Sequence, residues 1–239
     1  MSNNPLSFPT TTIVDKKVPK KAFYKHAKPQ RFNALKDFLS STFESITWLY
    51  KLHSSTIKVA DGKQVHEIDI FMCQLKRIDY DKKMLSEIDA LIPRQTIYLF
   101  EYEGVFELLA QYKTVNKQGD VIIPYKKWEQ VKRVDLSDSP LPLVGYDMDA
   151  LYAHFIGQLS QLGTTTDESY QEANTLRQQY IQLKQQCDAL LNRKKKEKQY
   201  NRRLEIRRQL KPLQEQLHNL ETKLNPNRSL DPEQISLDC

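Results

Sequence analysis

Gln74 and Lys76 stand two positions apart at the end of a β-branched and aromatic run that begins at Val65. On a strand that spacing turns both side chains to one face. A lysine there could stabilise charge developing on a phosphate, but metal-assisted phosphodiester hydrolysis needs a carboxylate on the same face, because the cation bridges it to the scissile phosphate. Period-two alternation groups Gln74 and Lys76 with Ile68, Ile70 and Met72 and turns Glu67 and Asp69 the other way. The preceding strand is expected at Thr56 to Val59, and its first acid, Asp61, falls in the turn. As a catalytic set, Gln74 and Lys76 are therefore incomplete.

Other candidates for chemistry are weaker. Glu101, Glu103 and Glu107 cluster around a predicted turn without a His or Lys beside them in sequence, which fits a solvated rim better than an acid–base pair. The five histidines never pair at a spacing that puts two on one helical face, and His66 reads as a structural residue. Six glycines, three of them at expected turns (62, 104 and 119), make no phosphate cradle, so neither a nucleotide-hydrolysing motor nor a dinucleotide cofactor is expected. Cys73, Cys187 and Cys239 are odd in number and far apart, which supports neither a disulfide framework nor a zinc site. No metal and no cofactor are expected.

Cations form the denser constellation. Arg193, Lys194, Lys195, Lys196, Lys198, Arg202, Arg203, Arg207 and Arg208 fall within one short segment, and Lys20 and Lys21 belong to a second basic stretch near the start. Residues 1–35 hold seven Lys/Arg against one Asp, and residues 193–211 hold ten against two Glu. Those segments carry +6 and +8, so with a net charge of +6 the remainder carries −8. Such segregation suits a polyanion or an acidic protein surface, since clustered Lys/Arg gain affinity by displacing counterions. The plainer alternative is a solvated helix face.

The elements that must position these residues follow from periodicity. Ala173, Leu176, Tyr180, Leu183, Cys187 and Leu190 step by threes and fours, as do Ile206, Leu210, Leu213, Leu217, Leu220 and Leu224. Two helices of similar length, each with one narrow apolar seam, predict an antiparallel coiled-coil hairpin whose basic tip projects from a globular body. Upstream, helices are predicted at Phe32 to Ser45, from Asp81 to Ile92 and at Met148 to Leu162, with Thr165 and Glu168 at capping-box spacing beyond the last. Strands are predicted at Ile46 to Leu52, Thr56 to Val59, Val65 to Lys76, Ile97 to Tyr102, Val105 to Lys113 and Val121 to Ile123. Asp61-Gly62 and Glu103-Gly104 read as hairpin turns. Trp48 is assigned to core packing and Trp128 to the sheet surface. The first dozen residues are expected to lack fixed structure.

The fold class is thus α+β, a mixed sheet with helices in the order α-β-β-β-α-β-β plus the hairpin. The organisation is a basic N-terminal segment (1–31), a globular domain (32–163), the hairpin (164–224) and a tail (225–239). The core order resembles that of nucleases of the PD-(D/E)xK type, to which Gln74 and Lys76 would belong. No leader pattern and no long apolar run occur, so a cytoplasmic protein without membrane contact is expected.

Several blocks in order resemble an uncharacterised bacterial domain-of-unknown-function family: Val18 to Tyr24, Glu44 to Leu52, Glu67 to Phe71 with Leu75-Lys76, Ile88 to Pro93, Leu99 to Gly104 and Glu197 to Arg203. The resemblance runs from about residue 12 to residue 224. Members are encoded beside helicases, adenine-specific DNA methyltransferases and type III restriction-like subunits. The resemblance implies a role in restriction or phage defence, with such a protein as partner. Together with the basic arm, the leading expectation is a non-catalytic accessory subunit that contacts the DNA backbone without base preference. Family members often carry Glu where this chain has Gln74, a change that weakens metal binding. A divergent nuclease and a pure protein adaptor are the alternatives.

Overall fold

The computed structural model describes residues 4–160 and 167–224. They fall into two compact units, one up to Asp167 and one from Glu168 onward. Residues 161–166, which include the end of the predicted Met148 to Leu162 helix and Thr165 of the capping box, and the tail at 225–239 lie outside the described residues.

The first unit is built on a six-stranded mixed sheet. In chain order it comprises β1 (Ile13–Lys17), α1 (Lys21–Tyr24), α2 (Pro29–Thr42), β2 (Phe43–His53), β3 (Glu67–Leu75), α3 (Lys82–Asp89), β4 (Gln95–Tyr102), β5 (Val105–Gln111), the ribbon strands β6 (Thr114–Val115) and β7 (Val121–Ile122), β8 (Trp128–Lys132) and α4 (Met148–Ser160). The sheet order is β1-β2-β3-β4-β5-β8, while β6 and β7 pair separately. All neighbours in the sheet are antiparallel except β3 and β4, whose parallel pairing is made possible by the α3 crossover.

Alternation sorts the sheet residues onto two faces. Phe71, Cys73, Tyr98, Phe100 and Leu109 form one core with Leu35, Phe38 and Leu39 of α2 and Leu85 and Ile88 of α3. Ile68, Ile70, Leu99 and Leu108 alternate with them and are equally buried. On that side α4 packs against β5 and β8, and the Tyr152 hydroxyl joins the Gln111 carbonyl at 3.0 Å. Phe23 and Tyr24 are buried against the first core.

Three expectations need correction. Thr56 to Val59 is no strand: β2 runs directly into a looped connection, and the order from α2 to β5 is α-β-β-α-β-β. Asp61-Gly62 is accordingly no hairpin turn. Gly62 is required because a Cβ there would lie 2.6 Å from Asp149 Oδ1, and that carboxylate accepts the N–H groups of Lys63, Gln64 and Val65 at 2.7–3.1 Å. The N-terminal stretch is also ordered from residue 4. Leu6 and Phe8 are buried, Phe8 meets the Tyr50 ring edge-on at 5.0 Å, and residues 13–17 supply the edge strand β1.

Glu103-Gly104 behaves as predicted. Both residues take positive φ, 50° and 81°, the conformation of a tight two-residue hairpin. Trp48 is half-buried against the core, and Trp128 opens β8, donating its indole N–H to Ser86 Oγ at 2.9 Å.

The second unit contains α5 (Asp167–Lys196) and α6 (Tyr200–Leu224). The two helices pack together through the predicted seam: Cys187, Ile206 and Leu210 are buried, with Leu190 and Leu213 against them. Tyr180 donates to Glu221 Oε1 at 2.8 Å, so early α5 meets late α6 and the pair is antiparallel.

Candidate functional site

The turn between α5 and α6 consists of Glu197, Lys198 and Gln199. Arg193, Lys194, Lys195 and Lys196 occupy the last turn of α5, where cations complement the negative end of the helix dipole. Arg202 and Arg203 sit in the first turn of α6, which holds no acidic residue, so there the like-signed dipole end opposes them. Glu197 does not neutralise the group: its Oε1 accepts the N–H of Gln199 at 2.9 Å. Arg193, Lys195, Lys196, Lys198, Arg202, Arg203, Arg207 and Arg208 are exposed and Lys194 is half-buried. Among the described residues no ion pair engages any of these nine cations. The result is a cluster of cations on both sides of one helix–helix turn. It presents charge to solvent with no ion pair among the described residues.

The other predicted residues lie in the sheet unit. Lys20 Nζ donates to the carbonyl of Phe43, and burial together with nearby Lys76 holds its pKa below the usual lysine value. Lys21 is exposed at the start of α1. Lys76 donates to the Ser40 carbonyl at 3.0 Å and lies 3.7 Å from Glu44. Gln74 is exposed, with Ser45 Oγ 3.4 Å from its Oε1. The carboxylate in register with Gln74 on β4 is Glu101, which is buried and braces the hairpin by accepting the Gly104 N–H at 2.8 Å. Lys20 and Lys76 thus serve carbonyls at the end of α2. Among the described residues no three His, Cys, Asp or Glu side chains are placed to hold a metal ion.

A second charged cluster, not anticipated from sequence, lies at the opposite end of β3. Lys51, Asp69 and Thr96 are neighbours across β2, β3 and β4. Glu67 receives Lys51 and Arg94, each at 2.5 Å, and Arg94 also reaches Asp69 Oδ2 at 3.2 Å. Burial, then the adjacent Glu67, pushes the Asp69 carboxyl up to about 7. Glu67 goes the other way, because its two cations outweigh the cost of its burial. Deeper still, Lys113 and Asp89 form an ion pair at 2.9 Å with both side chains wholly buried. Lys113 Nζ also donates to the carbonyls of Asp89 and Arg94 and to Thr96 Oγ1, each at 2.9 Å. Asp89 additionally accepts the hydroxyls of Thr96 and Tyr98. Every one of these groups ties α3 and its exit loop to the sheet. Little in the sequence signals it, since Lys113 follows the end of β5, where residues of both parities, Leu109 and Gln111 as well as Ala110 and Tyr112, are buried.

The family described as a domain of unknown function, DUF4391, matches residues 6–217, which includes most of both units. The chain belongs to that family. No curated protein and no solved structure matches it. Among the described residues no helix is long and apolar enough to cross a membrane.

Proposed function

We propose that this DUF4391 protein is a non-catalytic accessory subunit that binds the DNA backbone through the basic turn of its helical hairpin. It would act beside a helicase, methyltransferase or restriction subunit of a bacterial restriction or anti-phage system. The observation that carries the DNA contact is the set of nine unpaired cations around residues 193–208. A like-charged cluster on a two-helix hairpin adds little to folding beyond its contact with the end of the α5 dipole, and the stability of the hairpin resides in the seam. Its favourable partner is a surface of closely spaced anions, and a nucleic-acid backbone gives up condensed counterions when such a cluster binds. Phosphate contacts position a protein without reading sequence, so binding without base preference follows. The association with defence partners rests on the family resemblance of the sequence blocks.

If about six of the cations meet phosphates, log affinity for duplex DNA falls with log salt at a slope near −5, from roughly −0.9 per neutralised phosphate. A salt titration by fluorescence anisotropy measures it, and affinity independent of salt would remove DNA from the account.

A protein-only adaptor is the second reading, favoured by one feature. The hairpin carries a cleft of about 420 Å³ along its seam, lined by Leu183, Leu220 and five amide side chains. Leu183→Glu tests the cleft, which lies away from residues 193–208, and charge reversal at Lys194, Lys195 and Lys196 tests the turn. Co-purification with the native protein partner survives if the turn binds DNA and is lost if the turn binds that partner.

A further inference from the structure

We propose that the hairpin turn takes single-stranded DNA, with Tyr200 as the platform on which an unpaired base stacks; this rests on the phosphate-binding reading above and names its substrate class. Tyr200 is the first residue of α6 and is 69 % exposed. It stands two positions after Lys198 and two before Arg202, within the cation cluster.

No packing role accounts for it. Tyr200 lies six residues before Ile206, roughly 120° around the helix from the seam. Its side chain makes no hydrogen bond or ring contact among the described residues, whereas Tyr180 on the seam is tied to Glu221 and lies under Lys184. An aromatic ring held in water gains free energy when an apolar or π surface covers it. Because cations flank Tyr200 in sequence, a partner that covers the ring must itself tolerate, and be drawn by, positive charge. A nucleotide supplies both parts: a phosphate for the cations and a base face for the ring. Within a duplex the base faces are already stacked on one another, so only unpaired strands offer them. Tyr146 provides the contrast. It is 82 % exposed, but Asp147 and Asp149 follow it, so an exposed tyrosine there lacks the charge that would hold a phosphate.

The test uses the full-length chain, labelled oligo(dT) and a labelled duplex at one salt concentration, read by fluorescence anisotropy. Tyr200→Ala is expected to weaken oligo(dT) binding by about 5- to 100-fold, the range for loss of one base–aromatic stack. Its duplex affinity is expected to change less than about twofold, since phosphate contacts remain. Tyr146→Ala is expected to leave both unchanged. Tyr200→Trp is expected to retain oligo(dT) affinity, and its indole fluorescence to be quenched on binding. No loss on oligo(dT), or an equal loss on both probes, overturns the stacking role while leaving the phosphate contact in place. Absence of salt-dependent binding to either probe overturns both.

Discussion

Lys113 and the lysines at residues 194–196 are the same amino acid put to opposite uses. Lys113 is wholly buried, and its ammonium is shared among an aspartate, a threonine and backbone carbonyls. At the hairpin turn the lysines are exposed or half-buried and pair with nothing described. A buried charge survives only when each of its hydrogens is met, which makes it part of the scaffold. A cluster of unmet like charges in water is no part of the scaffold, so the two sites are expected to respond to mutation in different currencies: stability for the first, binding for the second.

The largest expected effect is on the buried pair. Lys113→Met leaves Asp89 charged and uncompensated and frees the α3 exit loop, at a cost of about 3–5 kcal/mol of unfolding free energy. Urea unfolding followed by circular dichroism measures it, and a loss below about 1 kcal/mol, the range of surface pairs, would contradict the structural role.

Asp69 provides the next effect, through pH. Its folded carboxyl is raised to about 7, so the native state keeps a proton that the unfolded chain gives up near its ordinary value of 3.8. Stability is therefore lost as pH rises between those values and is level above them, by on the order of 2 kcal/mol from roughly pH 5 to pH 7. Glu67 is shifted down from 4.5, so its gain is complete below that window. Asp69→Asn, which cannot give up a proton, should flatten the stability profile over this interval. A profile as steep as that of the parent would contradict the assignment.

Smallest in stability is the turn. Neutralising Lys194, Lys195 and Lys196 to Gln removes only favourable contacts with the end of the α5 dipole, expected at about 1 kcal/mol or less in total. Thermal unfolding checks this, and a loss as large as that of Lys113→Met would show that these lysines hold the hairpin together.

The same contrast explains what the sequence disclosed. The seam was legible because its spacing is local: Cys187, Ile206 and Leu210, all buried, stand at the expected heptad positions. The exposed cations were legible because charge density along a helix needs no tertiary partner. Lys113 was hidden because its partners come from residues 89–96, far from it in sequence, and a lysine after a strand looks like a solvated end. Leu6 and Phe8 escaped notice because two apolar residues carry no period, although Phe8 packs on Tyr50 and Phe155 and the Leu6 N–H meets the Tyr50 hydroxyl. Thr56 to Val59 misled in the other direction. Its β-branched residues suit a strand, but the chain beyond is held by Asp149 on α4, a contact that propensity does not register.

The most direct test of the central claim compares the salt dependence of duplex-DNA binding for the parent chain and the Lys194→Gln, Lys195→Gln, Lys196→Gln variant. The account predicts a slope near −5 for the parent, shallower by about 3 in the variant, from the counterions that three lysines no longer displace. Equal slopes for the two proteins would contradict it.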